Sequence, residues 1–149
     1  MKIIKSEKLF NLLSWTWGLP MTLIGYAVAA VLKARGYEPK KWGYCYHFEV
    51  GEKWGGVNFG PIFLTSKNPS EHTKAHEHGH GIQNCFFGFL TPFVISIPSA
   101  SRYWYREYLV RSGQKKYSEL PDYDSAWFES SATKLGTDFI NWYNTQQND

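Results

Sequence analysis

The segment HEHGH, residues 76–80, is the feature that most restricts how this chain can fold. Successive residues of an α-helix are rotated by about 100°, so His76 and His80 lie one turn apart and within about 40° of each other. Two imidazoles in that arrangement can bind one metal ion. Glu77 lies about 100° round the helix, where a carboxylate can hold a water molecule, as the pattern HExxH requires. The segment therefore predicts a helix with a ligand-bearing face that another part of the chain must complete.

Residues around this segment predict where the helix begins and which face enters the core. Asn68 is a favourable N-cap, and Pro69 suits the first helical position. Glu71 completes a capping box with Asn68. These signals predict a helix over residues 69–86. Its predicted core-facing residues are Ala75, Gly79, Ile82 and Phe86.

The other histidines have simpler interpretations than metal binding. His78 points almost opposite His76, so we expect it to be packed or hydrogen-bonded in the interior. His72 lies one turn before His76, where a solvated first-turn side chain is the main expectation and a ligand is the alternative. His47 falls in a predicted strand and is expected to pack across it.

The third metal ligand is expected to be a carboxylate. Catalytic zinc has three protein ligands and keeps one position open for water. The extended pattern HExxHxxGxxH would place its third histidine at Phe86, and no histidine follows His80. Glu129, on a helix predicted over residues 124–143, flanks an apolar stripe of that helix. A lone carboxylate there is costly to bury unless a cation compensates its charge.

Other interpretations of Glu129 stay open. Its carboxylate can extend to solvent, or it can pair with Arg102 or Arg106. Asp122 and Asp124 are further candidate ligands, although both resemble loop or N-cap residues. The small and apolar neighbours of Glu129 favour it as the ligand.

This set of residues predicts a specific chemistry. Zn²⁺ held by His76, His80 and Glu129 lowers the pKa of a bound water towards about 7 and polarises a substrate carbonyl. Glu77 is the predicted general base, which takes the proton of that water and passes it to the leaving amine. The expected substrate is a peptide or protein. A tyrosine hydroxyl is expected to stabilise the oxyanion, and the candidates are Tyr103, Tyr105, Tyr117 and Tyr123.

Residues 42–65 predict strands that lead to this helix. An aromatic-rich strand over 42–50 is followed by a turn and by a second strand over 54–65. Pro61 assigns the second strand to an edge of the sheet. An edge strand can pair with an extended peptide, so this strand is a predicted substrate site. Its predicted contact residues are Gly56, Val57 and Asn58.

The N-terminal residues 1–36 predict an apolar, Trp-rich helical hairpin. Residues 9–32 contain no charge, but Pro20 divides them into two short helices, which a signal peptide or a single spanning helix does not match. We expect these helices to pack in the core. The alternative is contact with a membrane surface through Trp15 and Trp17. The run favours a cytoplasmic or membrane-associated location over secretion.

Composition limits the remaining classes. The 149 residues correspond to one domain, and the aromatic content of 18% predicts a large core. The net charge is +3 and the basic residues are dispersed, so no nucleic-acid partner is expected. Cys45 and Cys85 are expected to be free, buried thiols. With a further helix predicted over 98–112, the fold class is α+β: mainly helical, with a small antiparallel sheet whose edge strand precedes the HExxH helix.

The order of these parts resembles the zincin metallopeptidases with a glutamate ligand, the gluzincins. It is more closely similar to the small metallopeptidase-like domains at the C-termini of bacterial Rhs-repeat-associated toxins. The resembling stretches are WTWGLPMTLIG, WGGVNFGPIFL, HEHGHGIQNCFFGFLTPFVISIPSASR and FESSATKLG. This resemblance implies a minimal zincin-like fold, zinc at His76, His80 and Glu129, and a catalytic Glu77. In that family Trp-Ala typically follows the glutamate, where this chain has Ser130.

A second functional hypothesis uses the same scaffold without the reaction. In this alternative the chain is a catalytically inactive or membrane-associated binding protein with a zincin-like fold. The Trp-rich N-terminus, residues 1–36, then carries the function. Metal content, peptide cleavage and vesicle binding distinguish the two hypotheses.

Overall fold

A computed structural model describes residues 1–147, and its fold is α+β and mostly helical, as predicted. The described part of the chain forms five α-helices and one small sheet, with short 3₁₀ and π turns between them. The helices are α1 (Glu7–Trp15), α2 (Leu19–Ala34), α3 (Glu71–Phe87), α4 (Ile97–Arg111) and α5 (Trp127–Gln147). The strands are β1 (Lys40–Trp42), β2 (Cys45–Glu49), β3 (Gly56–Phe59) and β4 (Ile62–Thr65).

The apolar N-terminal run forms two helices, as the sequence predicts. Ser6 caps α1 by accepting a hydrogen bond from the Leu9 amide, and α2 begins at Leu19 with a proline in its first turn. The axes of α1 and α2 differ by 95°. Phe10 of α1 is fully buried in the main core cluster, so one face of the hairpin packs in the interior.

Each of the two predicted strands is a hairpin. Gly43 and Gly60 adopt φ values of 57° and 66°, a left-handed conformation that glycine adopts readily, and there the chain reverses. Pro61 therefore lies in a turn. The strand order is β1-β2-β4-β3, with β1-β2 and β4-β3 antiparallel. The central pair β2-β4 is parallel, so the sheet is mixed and the prediction of a purely antiparallel sheet is wrong for that pair.

The strand that carries Gly56, Val57 and Asn58 is at the edge of the sheet. β3 pairs with β4 on one side, and β1 forms the opposite edge. The edge position predicted for residues 54–65 is thus correct for β3. β4 is interior, because it pairs with both β2 and β3.

The helix with the HExxH pattern begins two residues later than predicted. Ser70, rather than Asn68, is the N-cap, and its hydroxyl accepts a hydrogen bond of 3.1 Å from the Thr73 amide. Asn68 adopts a φ of 54° and donates its backbone N–H to Glu49, so it belongs to the preceding turn. Gly88 ends the helix with a φ of 55°.

Helices α3 and α5 cross in backbone contact. A Cβ at Gly79 would lie 1.9 Å from the carbonyl oxygen of Ala132, and a Cβ at Gly136 would lie 1.8 Å from that of Ala75. Each helix therefore contributes an alanine and a glycine four residues apart to the crossing. This close approach brings the first turn of α5, with Glu129, against the middle of α3.

The remaining helices differ from the prediction mainly at their ends. α4 continues from a π turn (Pro92–Ser96), so helical structure begins before the predicted residue 98. α5 begins at Trp127, because a short 3₁₀ turn occupies residues 123–125, and it extends four residues beyond the predicted 143. Cys45 and Cys85 are free and buried, as predicted.

Candidate metal centre

Three buried side chains converge where α3 and α5 cross. The Nε2 atoms of His76 and His80 lie 3.1 and 3.2 Å from the same oxygen, Oε2 of Glu129. Ligand atoms about 2.0–2.1 Å from a tetrahedral zinc ion are about 3.3 Å apart, close to both distances. Two imidazoles and a carboxylate are also a typical donor set for catalytic zinc.

The Nδ1 atom of His76 is held by a two-step hydrogen-bond chain. It lies 2.8 Å from the hydroxyl of Thr133, which in turn donates to Oδ2 of Asp124 at 2.8 Å. Because the Thr133 proton is committed to Asp124, the hydroxyl accepts from His76, and the imidazole carries its proton on Nδ1. The Nε2 lone pair of His76 therefore faces Glu129.

His80 is oriented in the same way by Gln83. Its Nδ1 lies 2.7 Å from Oε1 of Gln83, an atom that can only accept. The amide group of Gln83 donates to the Phe128 carbonyl and to the Ser131 hydroxyl, which fixes the orientation of the side chain. A hydrogen bond from Nδ1 is the usual arrangement for a metal-binding histidine, because it directs the Nε2 lone pair at the metal.

The Nδ1 hydrogen bonds of the two histidines indicate whether a cation fits between His76, His80 and Glu129. Two Nε2 lone pairs and a carboxylate oxygen face one another in a buried space, which is repulsive unless a proton or a metal ion lies between them. Burial lowers the pKa of His80, but the hydrogen bond and charge of Glu129 outweigh it, so that pKa is raised. Burial raises the pKa of Glu129, but protonated imidazoles of His76 and His80 donate to its carboxylate through Nε2 and hold that pKa well below its usual range. A proton on each imidazole or a bound cation would thus remove the repulsion.

Glu129 has no exposed surface, and its second oxygen is also hydrogen-bonded. The hydroxyl of Ser99 donates to its Oε1 at 2.5 Å. Arg102 and Arg106, the alternative partners from the sequence, donate instead to backbone carbonyl groups of residues 121–123. The carboxylate of Glu129 is thus directed at the two histidines.

Glu77 is buried beside the cluster, and one of its oxygens is unpartnered. The residue is 4% exposed, and its Oε2 has no hydrogen-bond partner among the described residues. Burial raises the pKa of its carboxyl group. A Cβ at Gly56 would lie 2.5 Å from Oε1, so a glycine there makes room for this carboxylate. A buried, poorly solvated carboxylate of this kind is suited to accept a proton.

A cavity of about 860 Å³ adjoins these residues. Residues of β3, α3, the π turn and α4 line it. Gly56, Val57 and Asn58 all line it, so the predicted substrate site and the histidines share one space. The side chain of Asn58 is nevertheless engaged within the fold, where it donates to the carbonyl groups of Glu77 and Gly60.

Three of the four candidate tyrosines line the cavity: Tyr103, Tyr117 and Tyr123. Tyr105 lies outside it. The ring centre of Tyr123 is 6.4 Å from that of His76, and burial raises the pKa of its hydroxyl to about 12. Tyr123 is therefore a neutral hydrogen-bond donor next to the candidate metal ligands.

The other histidines lie where the sequence predicts. His78 is fully buried, stacks against Phe139 and accepts a hydrogen bond from the Tyr44 amide. Burial lowers its pKa to about 3. His72 is exposed at the rim of the cavity, and His47 is buried against Phe63.

The supporting residues were the part of the site that sequence reasoning missed. Gln83 is three residues after His80, and Thr133 is four residues after Glu129, so helical spacing could have indicated both. Asp124 was considered as a ligand, but it binds Thr133 instead. Ser99 has no comparable signal, because it comes from a distant helix.

Searches against protein-family models, curated proteins and solved structures give no match to this chain. A functional proposal therefore rests on the geometry and chemistry of the site.

Proposed function

We propose that this chain is a zinc-dependent peptidase with a zincin-like site. One observation carries the proposal: His76, His80 and Glu129 converge in a buried cluster next to Glu77, which lines the adjoining cavity and has one oxygen without a hydrogen-bond partner among the described residues. A structural zinc site has four protein ligands, whereas this cluster has three and adjoins a cavity. The resemblance of the chain to gluzincin-type domains supports the same function.

The residues divide the chemistry between them. His76, His80 and Glu129 would hold Zn²⁺, which supplies Lewis acidity that acidifies a water molecule and polarises a carbonyl group. Glu77 accepts the proton of the attacking water and delivers it to the departing amine. Its burial supports this role, because burial raises the pKa of the carboxyl group and makes the carboxylate a stronger proton acceptor.

Tyr123 is the proposed oxyanion donor. A phenol with a pKa of about 12 keeps its proton at neutral pH, so it can donate a hydrogen bond to the developing negative charge. Its position beside His76 distinguishes it from Tyr103 and Tyr117, the other tyrosines that line the cavity.

The free edge of β3 is the proposed binding site for the substrate backbone. An extended peptide can add to such an edge through main-chain hydrogen bonds, which are independent of side-chain identity. Gly56 and Val57 lie where that peptide would run past Glu77. Apolar groups such as Met21 and Ile95 also line the cavity, so we expect a preference for apolar residues.

The alternative function, a catalytically inactive or membrane-associated binding protein, is favoured by one observation. The chain exposes several large apolar side chains near its two bent helical segments, Trp17 and Phe89 among them. A single experiment separates this alternative from the peptidase proposal, because the two differ in what Glu77 does.

The test compares wild-type protein with Glu77→Gln in cleavage of a mixed peptide library followed by mass spectrometry. We expect cleavage by the wild type after zinc loading, inhibition by a chelator, and a loss of at least about a hundredfold in Glu77→Gln with zinc retained. Glu38→Gln, the same change at an exposed position, is the matched control. Equal cleavage by Glu77→Gln contradicts the proposal. Bound zinc without any cleavage by the wild type favours the binding protein.

A further inference from the structure

Two long segments of this chain contain no charged residue. They are residues 9–32 and 81–101, and both bend sharply. Within the described residues no single helix is long and apolar enough to cross a membrane, but two bent helix pairs reach that length and composition. The first joins α1 and α2 at 95°. The second joins the stretch Glu71–Leu90 to Pro92–Arg111 at 118°.

The two bends contact each other through Trp17. The indole N–H of Trp17 donates to the Phe86 carbonyl at 3.1 Å. The ring centres of Trp17 and Phe89 are 5.5 Å apart, and the two rings are nearly perpendicular. A Cβ at Gly88 would lie 2.3 Å from the indole, so this contact depends on a glycine. The bends thus form one continuous surface.

Large apolar side chains are exposed across this surface. Phe93 is 68% exposed, and Phe86, which the helical pattern assigns to the core, is 43% exposed. The outward face of α2 contains no charged side chain between Leu19 and Leu32. We name this surface the apolar face, and its members are Leu12, Trp15, Trp17, Leu23, Ile24, Phe86, Phe89, Leu90, Phe93 and Ile97.

The composition of the apolar face indicates what covers it. A helix that is apolar all round is buried in protein or in lipid. The inner side of α2 packs within this chain through residues such as Met21 and Ala29, but Leu23 and Ile24 on its outer side are exposed. A protein partner of standard size forms about one hydrogen bond per 100–200 Å² of interface, and the face offers few polar groups to make them. Tryptophan and phenylalanine beside a basic segment are typical of helices that lie in a membrane interface.

The charge around the apolar face is complementary to anionic lipid. Residues 1–35 carry a net charge of +4, although the whole chain has only +3. Lys2, Lys5 and Lys8 are exposed. On α1, Lys8, Leu12 and Trp15 are spaced four and three residues apart, so they share one side of the helix. Basic side chains near a surface each contribute about 1 kcal/mol to binding of anionic lipid.

We propose that the apolar face lies on an anionic lipid bilayer, with Trp17, Phe89 and Phe93 in the headgroup and upper acyl region. In this arrangement residues of both uncharged segments, 9–32 and 81–101, contact lipid. The N-terminal sequence by itself predicts contact only through Trp15 and Trp17. The proposal does not depend on zinc or on catalysis, and it holds whether or not the chain is a peptidase.

The test is flotation of the full-length protein with phosphatidylcholine vesicles that contain or lack phosphatidylglycerol. We expect binding to the anionic vesicles that weakens with added salt. Leu23→Glu and Phe93→Glu, at exposed positions of the two segments, should each reduce that binding at least tenfold. Tyr105→Glu, at an exposed aromatic position of α4, should leave it unchanged. Equal binding by all variants, or none by the wild type, overturns the proposal.

A second measurement distinguishes lipid from another copy of the chain. Brominated lipids should quench tryptophan fluorescence in the wild type, and the quenching should fall in Trp17→Phe but not in Trp104→Phe, whose indole belongs to α4. Light scattering without vesicles should give the same mass for wild type and Leu23→Glu. A wild-type dimer that Leu23→Glu dissociates, without vesicle binding, assigns the face to a second copy and contradicts the proposal.

Discussion

The two sides of α3 bury histidines in opposite surroundings. His76 and His80 face a carboxylate, and each has its Nδ1 hydrogen-bonded to a neighbouring polar side chain. His78, between them in sequence, stacks on Phe139, and its Nδ1 has no partner among the described residues. Burial therefore does not make a histidine a ligand. The partner of its second nitrogen and the charge it faces distinguish a candidate ligand from a core residue.

The largest effect should come from replacing Glu129, the carboxylate that His76 and His80 face and that His78 does not. Structural zinc binds with about 10–16 kcal/mol from four ligands, so one ligand contributes about 2.5–4 kcal/mol. Glu129→Gln should thus weaken zinc binding by about a hundredfold to a thousandfold, as measured by competition with a chromogenic chelator. Asp138→Asn, an exposed carboxylate on the same helix, should have no effect. Equal zinc affinity in the two variants contradicts the assignment of Glu129.

His78 should behave in the opposite way. His78→Ala removes a fully buried ring and leaves the Tyr44 amide without its acceptor, so we expect a loss of about 3 kcal/mol in the free energy of unfolding. Urea unfolding measures this loss. Zinc stoichiometry of the folded variant should be that of the wild type. If His78→Ala is as stable as the wild type but binds no zinc, His78 is a metal ligand and not a core residue, which contradicts the prediction.

The crossing of α3 and α5 should be sensitive to a single methyl group. Gly79→Ala and Gly136→Ala insert a Cβ less than 2 Å from a carbonyl oxygen, and overpacking of this kind costs about 1–3 kcal/mol. Thermal unfolding should show the loss for both variants. In Gly55→Ala the new Cβ meets open space, so its stability should match the wild type within about 0.5 kcal/mol. Similar stability of all three variants would contradict the close packing of α3 and α5 that positions the site.

The smallest predicted effect comes from the support of His76. Thr133→Val keeps the shape of the side chain but removes the hydroxyl between His76 and Asp124. Loss of such a partner typically lowers metal affinity about 10–100-fold. Zinc competition should show that decrease, and Ser130→Ala, at an exposed hydroxyl of α5, should show none. An unchanged affinity in Thr133→Val means that the hydroxyl does not orient the ligand.

Helical spacing was enough to predict the two histidines of the candidate site. A period of 3.6 residues places His76 and His80 together and directs His78 away, and both expectations agree with the structure. The choice of Glu129 used an argument about buried charge. Helical spacing does not predict the distance between α3 and α5. That distance depends on Gly79 and Gly136, each of which packs against the backbone of the other helix.

The sheet and the surface were harder to predict for physical reasons. Alternation marks a strand but not its reversal, so the sequence predicts one strand where each hairpin, at Gly43 and at Gly60, has two. The parallel pairing of β2 with β4 is a long-range contact without a local signal. Phe86 is likewise 43% exposed, although periodicity places it on the core face of α3.

The most direct test of the central claim is the metal itself. Protein made without a histidine tag and loaded with zinc should contain about one zinc per chain. X-ray absorption should give nitrogen and oxygen neighbours at about 2.0–2.1 Å, including two imidazoles, without sulfur. His76→Ala should abolish stoichiometric binding, whereas His72→Ala should retain it. Zinc bound through sulfur, or bound equally by His76→Ala, would contradict the account.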